Sequence, residues 1–81
     1  MTMKYLILQT PDGETPIIFP DFMYHDQVEE ALDHKEVIAA GLIKLDGGKI
    51  TCYGESSSLG IGSRGEDDEM VIHHRLLVRN E

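Results

Sequence analysis

The first apolar run is "MKYLILQ", residues 3 to 9, apolar at most positions and rich in strand-forming side chains; it stops at Thr10, Pro11, Asp12 and Gly13. Proline presets φ and glycine tolerates positive φ, so these four read as a turn, and "PIIF" at 16 to 19 is predicted as the second strand of a hairpin. Pro16 has no N–H to give to a ladder, which places that strand at a sheet edge.

After Pro20 the period of the pattern changes. Val28, Ala31 and Leu32 recur at helical intervals, and Asp26 and Glu29 have the spacing of a capping box, which predicts a helix over 26 to 34. Phe19, Phe22 and Tyr24 are expected to pack around its entry as core. "EVIAAGLIKL" (36 to 45) and "KITCY" (49 to 53) return to strand character across Asp46, Gly47 and Gly48, a connection suited to a tight hairpin. Alternation along this hairpin puts Ile50 and Cys52 on one face and Thr51 and Tyr53 on the other, so Cys52 is expected as a small buried side chain.

The last segment opens with Ser63, Arg64, Gly65 and Glu66, a second capping-box spacing, followed by Asp67, Asp68 and Glu69 where a helix start favours negative charge. We expect a helix over 64 to 79, with a strand over 70 to 78 as the alternative. On the helix, Met70, Val71, Leu77 and Val78 form a buried stripe with His74 at its centre as a core or interface histidine. Ile72 and Leu76 project to the opposite side and, with Glu66, Asp67, Asp68 and Glu69, are the expected protein-interaction residues.

The element order β-β-α-β-β-α predicts a small two-layer α+β domain spanning 1 to 81, an antiparallel sheet of about four strands with both helices on one face. The other face would then carry polar residues or be buried by a second copy, which makes a homodimer an expectation.

Composition and charge narrow the partners. The chain has 81 residues, 41% of them apolar, with 15 acids against 7 bases and a net charge of −8. A chain this short buries only about 60–65% of its unfolded surface, so its core is thin. Its acidity disfavours direct nucleic-acid and anionic-membrane contact and favours a basic protein partner. No apolar run approaches a membrane span, and the N-terminus lacks a basic segment followed by a cleavable apolar one. Cys52 alone can form no intrachain disulfide and no cysteine-based metal site, and a reduced, cytoplasmic setting is the simplest reading.

The candidate chemistry lies in "GESSSLGIGSRG", residues 54 to 65. Glycine backbone and serine hydroxyls ahead of a helix can cradle an anion, and Ser56, Ser57, Ser58, Gly60, Ser63 and Arg64 are the expected ligand-binding residues, with Arg64 as a bidentate clamp. The stretch has no lysine, no Walker spacing and no three-glycine dinucleotide spacing, so a structural strand-to-helix loop, with Arg64 paired to local acids, is the competing expectation. The four histidines show no metal-ligand spacing, and no nucleophile, base and orienting group fall together. No catalytic residue, metal or cofactor is expected.

Ser56, Ser58, Leu59, Gly60, Ser63, Arg64 and Asp67, together with "KYLILQTPDGETPIIFP" and "AAGLIKL", form a pattern that resembles short uncharacterised proteins encoded in phages and prophages. The resemblance covers most of the chain and implies a bacterial cytoplasmic setting and an accessory role. It brings no activity and no catalytic residues.

Overall fold

β1 (Thr2–Thr10) decides the architecture, because its residues Tyr5, Leu6, Ile7 and Leu8 are all buried. Successive side chains of a strand point to opposite faces, so four buried positions in a row require cover on both sides of the sheet. The computed structural model describes residues 2–33 and 36–77 and supplies that cover. β2 (Gly13–Phe19), β3 (Val37–Asp46) and β4 (Lys49–Tyr53) complete a four-stranded antiparallel sheet in the order β2-β1-β3-β4. α1 (His25–Ala31) follows the first hairpin. A second small sheet, β5 (Glu55–Ser56) with β6 (Ile61–Gly62), precedes α2 (Glu66–Ile72), which runs on into a π-helical turn over His73–Leu77.

The α+β class and the antiparallel four-stranded sheet follow the sequence pattern, whereas the expected placement of both helices on one face does not hold. Tyr5, Ile7, Ala39, Ile43, Ile50 and Cys52 form one core with Ile72 of α2. Leu6, Phe19 and Ala40 form another with Val28 of α1, and Leu59 and Ile61 of the small hairpin pack against it. The sheet is thus sandwiched between α2 on one side and α1 with β5–β6 on the other. The bare sheet face that would have called for a second copy is absent from the two central strands.

Local geometry follows the side chains. Gly47 and Gly48 take φ of +59° and +83°, the mirror-image turn that suits the twist of a two-residue hairpin. Pro16 lies on edge strand β2 opposite Ile7. Counting from the turn-closing pair Thr10–Gly13, it falls where the backbone points outward, so no ladder bond is lost. Gly41 of β3 has another reason to be glycine: a Cβ there would lie 2.5 Å from the Tyr53 carbonyl oxygen and 3.1 Å from Cβ of Ser63. The chain leaving β4 can cross β3 only because that position has no side chain.

Both helices start and face differently from the sequence expectation. α1 begins at His25, and its entry is fastened by Gln27, whose Oε1 accepts from the Tyr24 N–H at 3.0 Å, rather than by Asp26 and Glu29. It stops at Ala31 because Asp33 adopts φ of +64°; the expected end at His34 lies outside the described residues. Phe19 is core, but Phe22 and Tyr24 are 79% and 62% exposed, so the expectation that all three are core is corrected for those two. α2 begins after Gly65, and residues 70–77 are helical, which removes the strand alternative there; Val78 and Arg79 lie outside the described residues. Its buried stripe is Asp68 and Ile72, while Met70 is 69% exposed and His74 is exposed. Ile72 is therefore core instead of partner surface, and His74 is surface instead of core.

α2 also spans the sheet from edge to edge. Oε2 of Glu69 accepts from the outward N–H of Cys52 on β4 at 2.8 Å, and Nη1 of Arg75 donates to the outward carbonyl of Glu14 on β2 at 2.7 Å. No helix among the described residues is long and apolar enough to cross a membrane.

Candidate functional site

The densest polar chemistry lies between α2 and the sheet. Tyr5 is buried mid-strand with its phenol directed at α2, and a buried hydroxyl needs partners. It donates to the Asp68 carboxylate and lies 2.7 Å from Oγ of Ser63. Asp68 is fully buried, and its Oδ2 also accepts from the Arg64 N–H at 2.8 Å while its Oδ1 accepts from Nε of Arg64 at 2.6 Å. The far end of the guanidinium donates to both oxygens of Glu14, at 2.6 and 3.3 Å. Ser63 does not cap the helix; its Oγ accepts from the Gly65 N–H at 2.9 Å and fixes the turn that leads into α2.

The electrostatics of this cluster favour holding over reacting. Burial, reinforced by the Asp68 carboxylate, holds the Tyr5 phenol far above the usual tyrosine range. Burial likewise pushes the Cys52 thiol up to about 12, so its nucleophilic thiolate is scarce near neutral pH. The hydrogen bonds from Arg64 lower Glu14 and, in return, those to Glu14 raise Arg64. Among the described residues every buried side-chain nitrogen and oxygen has a hydrogen-bond partner, and no three of His, Cys, Asp and Glu are arranged to hold a metal.

The glycine-serine stretch folds on itself. Ser56 is buried, its Oγ accepts from the Leu59 N–H at 3.2 Å and approaches Oγ of Ser58 at 3.3 Å, and its carbonyl accepts from the Gly60 N–H at 2.9 Å. The Ser63 N–H is bonded to the Gly54 carbonyl at 3.0 Å. The amides expected to receive an anion at Gly60 and Ser63 are therefore used inside the loop, and Arg64 is held by Asp68 and Glu14. Ser57 and Ser58 remain at the surface.

The expected interaction residues separate in the same way. Glu66 and Asp67 are exposed, Asp68 and Ile72 are buried, Glu69 is partly buried at the β4 edge, and Leu76 is 40% exposed. A groove of about 740 Å³ runs between α2 and the start of β4, lined by Ile50, Glu66, Glu69, Met70, His73 and His74 among others. On the other side of α2, a second hollow of about 540 Å³ shares Met70 and His74.

A separate surface lies at the entry of α1. Phe22 and Tyr24 stand out next to the exposed acids Asp21 and Asp26, and Nζ of Lys4 lies 5.1 Å from the centre of the Tyr24 ring while donating to the Met23 carbonyl at 2.7 Å. Beneath them His25 is buried, with Nε2 3.0 Å from the Gly41 carbonyl and its ring edge-on to Phe19 at 5.3 Å. Burial lowers its pKa.

Sequence reasoning missed Tyr5 and Glu14 as partners of Arg64 and Asp68. The one available signal was a tyrosine in the middle of an otherwise aliphatic strand, whose hydroxyl would need a buried partner. No protein-family model matches the chain, and neither a curated protein nor a solved structure does.

Proposed function

We propose that this protein is a non-catalytic accessory protein of phage or prophage type that acts by binding a basic protein partner. The observation that carries the proposal is the surface at the α1 entry, where Phe22 and Tyr24 are 79% and 62% exposed in a chain with few aromatic residues, flanked in the chain by the exposed carboxylates of Asp21 and Asp26, with Glu30 and Asp33 exposed at the far end of the helix. Exposed aromatics with carboxylates as chain neighbours, and Lys4 against the Tyr24 ring, have the composition of an interaction hot spot: the rings supply buried area and the carboxylates supply steering. Where the partner is a nucleic-acid-binding protein, these carboxylates compete with phosphate for its lysines and arginines.

The test is a pull-down of the tagged protein from bacterial lysate at low and moderate salt, with a Phe22→Ser/Tyr24→Ser variant alongside. One partner lost at moderate salt and absent from the variant is the expected result. Absence of any partner at either salt, or equal capture by the variant, overturns the proposal. Anionic-ligand binding by the loop over 54–65 is the competing reading, and it would appear as a rise in melting temperature with nucleotides or phosphate that Arg64→Ala removes.

A further inference from the structure

β4 is an edge strand, and its outward backbone groups belong to Ile50 and Cys52, because Lys49, Thr51 and Tyr53 occupy the positions that bond to β3. The Cys52 N–H is closed by Glu69. Ile50 has no such side-chain partner among the described residues: the register turns its N–H and carbonyl outward from the sheet edge, and the residue lines the groove beside α2. One open backbone pair next to one closed position gives a docked strand a defined register, with pairing at Ile50 and none at the Cys52 N–H.

The side chains around that open pair state what would fit. Met70 stands 69% exposed on the helix side of the groove, a flexible apolar surface of the kind that adapts to a partner side chain. Glu66 and Glu69 flank it on the same helix. On the sheet side, the face shared by Ile50 meets α2, whereas Lys49 and Thr51 belong to the opposite face. Side chains of an added strand alternate likewise, so its residues i and i+2 both meet α2 while the residue between them meets solvent.

We propose that the groove between β4 and α2 binds an extended segment of a partner protein by strand addition at Ile50, with an apolar residue against Met70 and lysine or arginine two residues away against Glu66 and Glu69. This rests on the reading of the molecule as a binder of basic proteins and names a second, separate contact for it. The groove lining holds the carboxylates of Glu66 and Glu69, the latter already accepting from the Cys52 N–H, against Lys49 at its turn end, so the occupant's cation is placed on the helix side, opposite Glu66. An acidic segment would meet both carboxylates at close range.

The experiment titrates ¹⁵N-labelled protein with the pentapeptide Lys-Thr-Val-Thr-Lys, capped at both ends, and with its twin Glu-Thr-Val-Thr-Glu, up to about 5 mM, where even a weak pentapeptide is half bound. Expected are saturable shifts centred on the Ile50 and Met70 amides, slower hydrogen exchange at Ile50, and affinity for the glutamate twin lower by about tenfold or more. Met70→Lys, at an exposed position that leaves the fold alone, removes the shifts. No saturable shift at Ile50, equal binding of the twin, or shifts centred on Tyr24 instead overturns the proposal. Capture of a lysate partner that survives Met70→Lys but not the Phe22/Tyr24 variant sinks the groove while leaving the parent reading standing. Loss of that partner both in the Phe22/Tyr24 variant and in Met70→Lys, with the pentapeptide bound at Ile50 in the unaltered chain, supports both.

Discussion

The two faces of the sheet are held by different physics. On the α1 face the contacts are apolar, Leu6, Phe19, Val28 and Ala40, with His25 as the only buried polar side chain of the helix. On the α2 face a comparable apolar core surrounds a buried carboxylate that ties β1, the loop before α2 and, through Arg64, edge strand β2 into one network. Apolar packing tolerates exchange of one aliphatic side chain for another, because it asks only for volume. A buried charge tolerates no loss of a partner, because each donor left behind is desolvated and unpaired. The α2 face should therefore be the more specific of the two and the more fragile.

The largest effect should come from Asp68→Ala, which empties a buried site and takes the common acceptor from the Tyr5 hydroxyl and from the Arg64 N–H and Nε–H, leaving Tyr5 with Ser63 alone and Arg64 with Glu14 alone; we expect a loss of about 3–5 kcal/mol, read as the shift of a urea unfolding curve. Leu6→Ala on the other face is the matched comparison at about 2–5 kcal/mol. If Leu6→Ala costs several times more than Asp68→Ala, the network is decoration and the contrast fails.

Next is Gly41→Ala, where the added methyl meets the Tyr53 carbonyl, expected to cost about 1–3 kcal/mol by the same assay. A neutral result would mean that the chain leaving β4 can shift without loss. Tyr5→Phe removes one hydroxyl and leaves the ring packed; about 1 kcal/mol is expected. Combined with Asp68→Ala it should add almost nothing, since the partner is already gone. Full additivity in that double variant would show that the two groups act independently.

The smallest effect is the pH profile. The folded state favours neutral His25, so the unfolded chain binds more protons, and stability should fall as pH drops from about 6.5 through the lowered folded value. At the other end the folded state holds the Cys52 thiol up to about 12, while the unfolded chain ionises it from about 9, so stability should fall as pH rises across that interval. His25→Asn should flatten the acid arm of unfolding midpoints measured against pH, and Cys52→Ala should lessen the alkaline arm, whose remainder belongs to the Tyr5 phenol, likewise held up by burial. Arms that stay unchanged would assign them to other groups.

Most of the sheet was readable from sequence because period-two alternation and turn residues are local properties. The hairpins over 3–19 and 36–53, and the buried faces of Ile50 and Cys52, needed nothing beyond neighbours in the chain. The facing of α2 was not readable in this way. An apolar stripe is found by looking for apolar residues, and here one of its two fully buried members is Asp68, so the apolar pattern points to Met70, which is exposed, as readily as to Val71, which does pack against the core. What makes Asp68 acceptable in the interior is Tyr5, 63 positions away in the chain. The same limit applied to the helix placement: four buried residues in a row at Tyr5–Leu8 already implied cover on both faces, but only once their burial was known.

That separation of 63 positions between Tyr5 and Asp68 also has a consequence during synthesis. At a translation rate of about 5–20 residues per second, Tyr5 is made roughly 3–13 s before its acceptor. Throughout that interval the nascent chain can pair β1 with β2, and later with β3, while the aliphatic side that awaits Ile72 remains uncovered. The network therefore acts as a late seal, closed only after the chain through Asp68 has been made and has left the ribosome, and until then the side of β1 that awaits Ile72 has no cover.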